Sequence, residues 1–254
     1  MCFELDSSPP IHKIKGAAVN FQDVTLTSSD ATQFATFYAE SNSPKGPGIV
    51  ILPDVRGLYR FYEELALRFA EHGYDAIAID YFGRTAGISK RDDDFAFMEH
   101  VAQTKVAQVT SDVTAAINHL KNRDSYENRS IFTLGFCFGG SSSWLQAAGQ
   151  EELSGAIGFY GHPTRENRDQ TPGPIHLVEN FKCSILALMG GADQGIPVDE
   201  INKFEDALNK AKIKNEIVIY DGAPHSFFDR KFEEFQSESD DSWNRVLSFI
   251  DQNA

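Results

Sequence analysis

The sequence predicts an α/β fold, a mostly parallel sheet of about eight strands with helices on both faces. Three observations predict it. Short, almost wholly apolar runs such as "GIVILPD" and "SIFTLGF" recur, and strands that apolar must be covered on both faces. Between them lie segments with helical periodicity, such as "RFYEELALRFAEHG". From Gly48 onward the two kinds alternate to the end of the chain. A chain of 254 residues accommodates one such domain, and no linker, repeat or low-complexity tract divides it. The expected organisation is an N-terminal arm over residues 1–21 and a single α/β domain over 22–254.

The arm is rich in Pro and Ser and has no pattern of its own. "VTLTSSDATQFATFYAE" alternates Thr, Phe and Tyr around the turn at residues 28–31, which reads as an antiparallel hairpin. "GIVILPD" is the first buried strand, and residues 60–73 form the first helix, with Gly73 at its C-terminal cap. "DAIAID" is the next strand. A long polar helical region is expected over 92–122, followed by strand "SIFTLGF" and a helix over 139–148. Strand "GAIGFYG", a Pro-rich loop "HPTRENRDQTPGP", strand "SILALMG" and helix "VDEINKFEDALNKA" come next. Strand "NEIVIYDGA" and a terminal helix around "DDSWNRVLSFI" complete the alternation.

Composition excludes several classes. No apolar run approaches a membrane span, and the first residues lack the basic and apolar regions of a secretory signal, so a cytoplasmic protein is expected. The net charge of −14 disfavours nucleic acid as a partner, because the molecule as a whole repels phosphates. Three cysteines, at positions 2, 137 and 183, form no CxxC pair, which argues against a disulfide framework and against zinc. No cofactor is expected: "GFCFGGSSS" lacks the lysine of a phosphate loop, and no G-x-G-x-x-G pattern occurs. A monomer and a homodimer are equally compatible with the sequence.

The stretch that carries chemistry is "GFCFGG", residues 135–140, between a strand and a helix. A sharp strand-turn-helix elbow exposes its central residue, and its flanking positions must be small so that strand and helix can approach. Gly135 and Gly139 meet that need. Cys137 then stands at a helix N-terminus, where the dipole and backbone N–H groups favour negative charge. The bland alternative is a packing cysteine at a glycine-rich bend. A thiol nucleophile needs a histidine base and a carboxylate to orient it, on loops at the carboxyl ends of later strands. Asp193 follows "ILALMGG" and His225 follows "EIVIYDGAP", in that order. Asp199 and Asp221 compete with Asp193, but Asp199 begins a helix and Asp221 shares the loop of His225. The backbone amides of Phe138 and Val55 are the expected oxyanion donors. Asp54, beside Val55, is a carboxylate able to face the thiol, or a turn-capping aspartate. His162, directly after "GAIGFYG", is either a pocket residue or a structural histidine.

Taken together, "GFCFGG", "GGADQGIP" and "GAPHSFF", with "LPDVRGLYRF" and "AIDYFGR" upstream, resemble the dienelactone hydrolase family over roughly residues 22–252. The resemblance implies an α/β-hydrolase fold and a Cys-His-Asp triad of Cys137, His225 and Asp193. It implies hydrolysis of a small ester or lactone, such as dienelactone, through an acyl-thioester. It also implies that Tyr81 and Arg84 of "AIDYFGR" contact substrate. Two positions depart from the family: Asp54 replaces a thiol-activating glutamate, and Asp229 replaces a second substrate-binding arginine, for which the adjacent Arg230 is the expected substitute. Two other functions remain on the same fold, a redox-sensing thiol protein and a catalytically degenerate binding protein.

Overall fold

A computed structural model describes residues 8–254 apart from 16, 18, 43, 93 and 123–127. Cys2 and the start of the expected arm lie outside the described residues. The hairpin comprises β1 (Val19–Thr27) and β2 (Gln33–Ser41), paired antiparallel along their whole length, so the first strand begins inside the expected arm. Next come β3 (Gly48–Leu52), α1 (Arg60–Glu71), β4 (Asp75–Ile79) and the short α2 (Gly83–Ala86). Gly73, just past α1, takes φ +96°, the left-handed turn expected of it. The polar region at 92–122 is not one helix. It divides into α3 (Phe97–Val101) and α4 (Val106–Lys121), because Thr104 Oγ1 donates to the Val101 carbonyl and Asp169 accepts the Val106 amide. The chain continues through β5 (Ile131–Phe136), α5 (Phe138–Gly149) and β6 (Leu153–Phe159). A 3-10 turn over Pro174–Asn180, which contains His176, leads to β7 (Ser184–Gly190), α6 (Val198–Lys210), β8 (Asn215–Tyr220) and α7 (Gln236–Asn253).

The eight strands form one sheet in the order β1-β2-β4-β3-β5-β6-β7-β8. β2 joins β4 antiparallel, and every pairing from β4 to β8 is parallel. β3, β4 and β5 are buried at every position, which is why their sequences are continuous apolar runs rather than alternating ones. β3 and β5 are neighbours, with β4 on one side and β6 on the other, so the strand order reverses between them. Crevices for ligands open at such a reversal, beyond the carboxyl ends of the strands. Aromatic packing fixes this edge from below: Phe136 stacks on Phe159 with centroids 4.7 Å apart, and Phe228 leans on both. At the opposite edge Arg129 is fully buried, 2.9 Å from Asp75 and bonded to the carbonyls of Gly46, Pro47 and Leu120. No described helix is long and apolar enough to cross a membrane.

Candidate active site

Cys137 joins β5 to α5 at φ 55° and ψ −113°, a conformation that L-residues avoid and that persists only when its surroundings impose it. Two glycines impose it here. A Cβ on Gly135 would fall 2.0 Å from the Gly139 carbonyl oxygen, and one on Gly139 would fall 2.1 Å from that of Leu52. The first turn of α5 therefore rests directly on the end of β3. The Cys137 amide is bound to the Phe159 carbonyl at 3.0 Å, which ties the elbow to β6. Phe138 opens α5, so its own amide has no acceptor within the helix.

Beside this elbow lies a cavity of about 390 Å³, lined by Cys137, Phe138, Val55, His225 and His162. His225 follows β8 and is partly exposed, and its Nδ1 lies 2.6 Å from Oδ2 of Asp193, which follows β7. Burial works against ionisation of Asp193. The hydrogen bond and charge of His225, with the amides of Gly195 and Ile196, outweigh it and hold the carboxyl below its usual range. Asp193 is thus held in its charged form against Nδ1 of the histidine ring, an arrangement able to orient that ring. Asp199 lies in the first turn of α6. Tyr160, at the end of β6, packs against the His225 ring with centroids 4.8 Å apart. His162 accepts the Arg165 amide on Nδ1 at 3.2 Å, and burial, with the charge of Arg165, keeps its pKa below the ordinary histidine value.

The remaining expected residues lie elsewhere. Arg84 does not line the cavity. Its guanidinium donates to Asp112 at 2.8 Å and to Asp30 at 2.8 Å, which aims it towards the β1–β2 turn and α4. Carboxylates on both sides balance its charge. Tyr81 is buried behind the cavity wall, its hydroxyl donating to the Pro53 carbonyl at 2.8 Å and its ring edge-on to Phe138 at 5.2 Å. Burial raises its pKa well above normal, and the charges of Asp54, Asp80 and Cys137 add to the effect, so these groups are close neighbours. Asp54 is completely buried; it accepts the Arg56 amide at 2.9 Å and lies 3.6 Å from Arg56 Nε. Arg230 is exposed, outside the cavity lining, and its amide donates to Asp229. Asp229 points inward: it is 1% exposed and accepts the Tyr160 hydroxyl at 2.6 Å. Burial, reinforced by the charge of Asp54, pushes its pKa up to about 7.

The cavity also uses residues that sequence reasoning passed over. Arg165, Glu166, Asn167 and Arg168 line it from the loop after β6. The available signal was "RENR", two arginines three apart in a loop that leaves a strand end beside His162. Ser141 lines the cavity too, one turn into α5, with its hydroxyl donating to the His162 carbonyl at 3.0 Å. Cys183 lies far from this chemistry in kind: burial pushes its thiol up to about 12, which keeps it protonated and inert. Among the described residues no group of three or more His, Cys, Asp or Glu side chains is arranged to hold a metal ion.

The model of the dienelactone hydrolase family matches residues 34–254. A "Putative carboxymethylenebutenolidase" of Escherichia coli (strain K12) is 28% identical over 236 residues, 90% of this chain and 86% of its own length. A "Carboxymethylenebutenolidase" of Rhodococcus opacus is 27% identical over 257 residues, 99% of this chain and 97% of its own. The crystal structure of a "Putative Dienelactone Hydrolase" from Klebsiella pneumoniae subsp. pneumoniae MGH 78578 superposes with a TM-score of 0.82 at 24% identity. That match covers 92% of this chain and 99% of the other, and at this identity the likeness is one of fold.

Proposed function

The chain belongs to the dienelactone hydrolase family, and on that premise we propose that Cys137 is the nucleophile of an esterase or lactonase that works through an acyl-thioester. It is a hydrolase of the kind that acts on ester or lactone bonds. The observation that carries the reading is the strained elbow at Cys137 opening into the same cavity as a histidine fixed by a buried, ionised aspartate.

In the proposed cycle His225 takes the thiol proton and the Cys137 sulfur attacks the carbonyl carbon of the substrate. A C–S bond forms, and the carbonyl electron pair moves onto oxygen, where the amides of Phe138 and Val55 stabilise it. The oxyanion collapses, the C–O bond breaks, and the leaving oxygen takes the proton from His225. For a lactone that oxygen stays tethered to the acyl group. His225 then draws a proton from water, the resulting hydroxide attacks the thioester, and the thiolate leaves and recovers its proton. Asp193 holds the imidazole in the productive tautomer and stabilises the imidazolium throughout. Asp54 stands at the family's glutamate position but is engaged by Arg56, so we assign it to shaping the loop that carries Val55.

Cys137→Ala tests the reading. With circular dichroism unchanged, kcat/KM for p-nitrophenyl esters and simple lactones falls by about a thousandfold or more. Turnover retained within about twofold overturns the assignment.

A further inference from the structure

Two histidines line the cavity, and they carry opposite partners on Nδ1. The partner of His225 Nδ1 is the Asp193 carboxylate, held in its charged form, which can only accept a hydrogen bond. The partner of His162 Nδ1 is the Arg165 backbone amide at 3.2 Å, which can only donate one. A neutral imidazole carries its single N–H on one nitrogen or the other, so the amide assigns the proton of His162 to Nε2. In this tautomer Nε2 has no lone pair to take a thiol proton. It is a donor.

The ring is held firmly. The His162 carbonyl accepts the Ser141 hydroxyl at 3.0 Å, and a Cβ on the preceding Gly161 would fall 2.5 Å from the Ser141 amide nitrogen, so this backbone lies directly against α5. On the other side the Ile175 amide donates to the Pro163 carbonyl at 2.9 Å. Burial and the charge of Arg165 oppose protonation of the ring, and they outweigh Glu200 and Asp193, which favour it. The ring stays neutral. Nδ1 is turned to the loop, and among the described residues no group bonds to Nε2 on the far side of the ring.

We propose that His162 is a specificity-determining residue whose Nε2–H donates to an uncharged acceptor oxygen of the substrate, an ether, hydroxyl or keto oxygen apart from the scissile carbonyl. A fixed donor on the cavity wall favours a substrate that supplies an acceptor over one that brings a methylene to the same place. The acceptor is uncharged because Glu200 and Asp193 act on the same ring, so an anion there meets like charge that a neutral imidazole does not offset. The inference rests on the reading of Cys137 as nucleophile only for which substrate bond is cleaved.

The test compares wild type, His162→Leu and His162→Gln, the last of which keeps an N–H donor. The first assay is the ratio of kcat/KM for p-nitrophenyl methoxyacetate to that for p-nitrophenyl butyrate, two esters that differ by an ether oxygen in place of a methylene. The inductive effect of that oxygen is common to all three proteins and cancels in the comparison. The ratio falls about fivefold or more in His162→Leu, mostly through KM, and recovers in His162→Gln. The second assay needs no turnover: nitrogen-15 NMR of the imidazoles in Cys137→Ala, with His162 assigned by the signal lost in Cys137→Ala/His162→Gln. The proton lies on Nε2, and that resonance responds to methyl methoxyacetate at about fivefold lower concentration than to methyl butyrate. A ratio unchanged by His162→Leu, a proton on Nδ1, or an equal response to the two methyl esters overturns the donor. Absent hydrolysis of both p-nitrophenyl esters, with the Nε2 proton and the preference for methyl methoxyacetate intact, would sink the esterase reading and leave the donor standing.

Discussion

At the scale of single residues, two of the six described non-glycine residues with positive φ, Cys137 and Tyr160, line the cavity, and a third, Ser226, follows the cavity residue His225. Cys137, Tyr160 and Ser226 have φ of 55°, 37° and 65°, the first two directly after β5 and β6 and the third in the loop after β8. Non-glycine residues held this way cost about 1–3 kcal/mol each, which a fold retains where geometry is put to use. Asp229 stores free energy in another form. The folded chain keeps a proton on it up to about pH 7, whereas the unfolded chain releases it near 3.8. Between those values the native state holds the extra proton, so stability falls as pH rises through the window, by on the order of 4 kcal/mol in full. Asp229→Asn removes the dependence while keeping an oxygen for the Tyr160 hydroxyl. Urea unfolding at pH 5 and pH 8 therefore shows the variant gaining about 2–3 kcal/mol on wild type between the two. An equal difference at both values contradicts the buried protonated carboxyl.

At the scale of elements, the elbow depends on a contact between the start of α5 and the end of β3 that only a hydrogen side chain permits. Gly139→Ala puts a methyl group 2.1 Å and 2.3 Å from the carbonyl oxygens of Leu52 and Pro53, both backbone atoms that cannot rotate away. The expected cost of about 3 kcal/mol lowers Tm by roughly 6–12 °C. Gly149→Ala, at the far end of the same helix, meets only the Thr110 side chain at 3.2 Å and shifts Tm by less than about 3 °C. Equal shifts would remove the claim that α5 is seated by that contact. The central strands β3, β4 and β5 were legible in the sequence because each is buried on both faces and so reads as an unbroken apolar run. The division of residues 92–122 was not legible, because it depends on Asp169, 63 positions beyond the Val106 amide that it accepts. The extension of β1 back to Val19 was hidden for a similar reason: its outer residues are exposed and gain their order from pairing with β2.

At the scale of the molecule, the parallel strands deliver residues far apart in the chain to one edge, where Cys137, Asp193 and His225 follow β5, β7 and β8. Their order along the chain and their positions after apolar strands made them readable from the amino-acid sequence. The rest of the cavity lining was less so. The direction of Arg84 is decided by Asp30 and Asp112, and the place of Arg165 and Arg168 in the cavity lining is decided by how the long loop after β6 folds. The central claim, a covalent acyl group on Cys137, is tested most directly by rapid acid quench during turnover of a p-nitrophenyl ester, followed by peptide mass mapping. The account predicts an added acyl mass on the peptide containing Cys137, removed by hydroxylamine and absent in Cys137→Ala. An acyl group on Ser141 or any other residue, with none on Cys137, would contradict it.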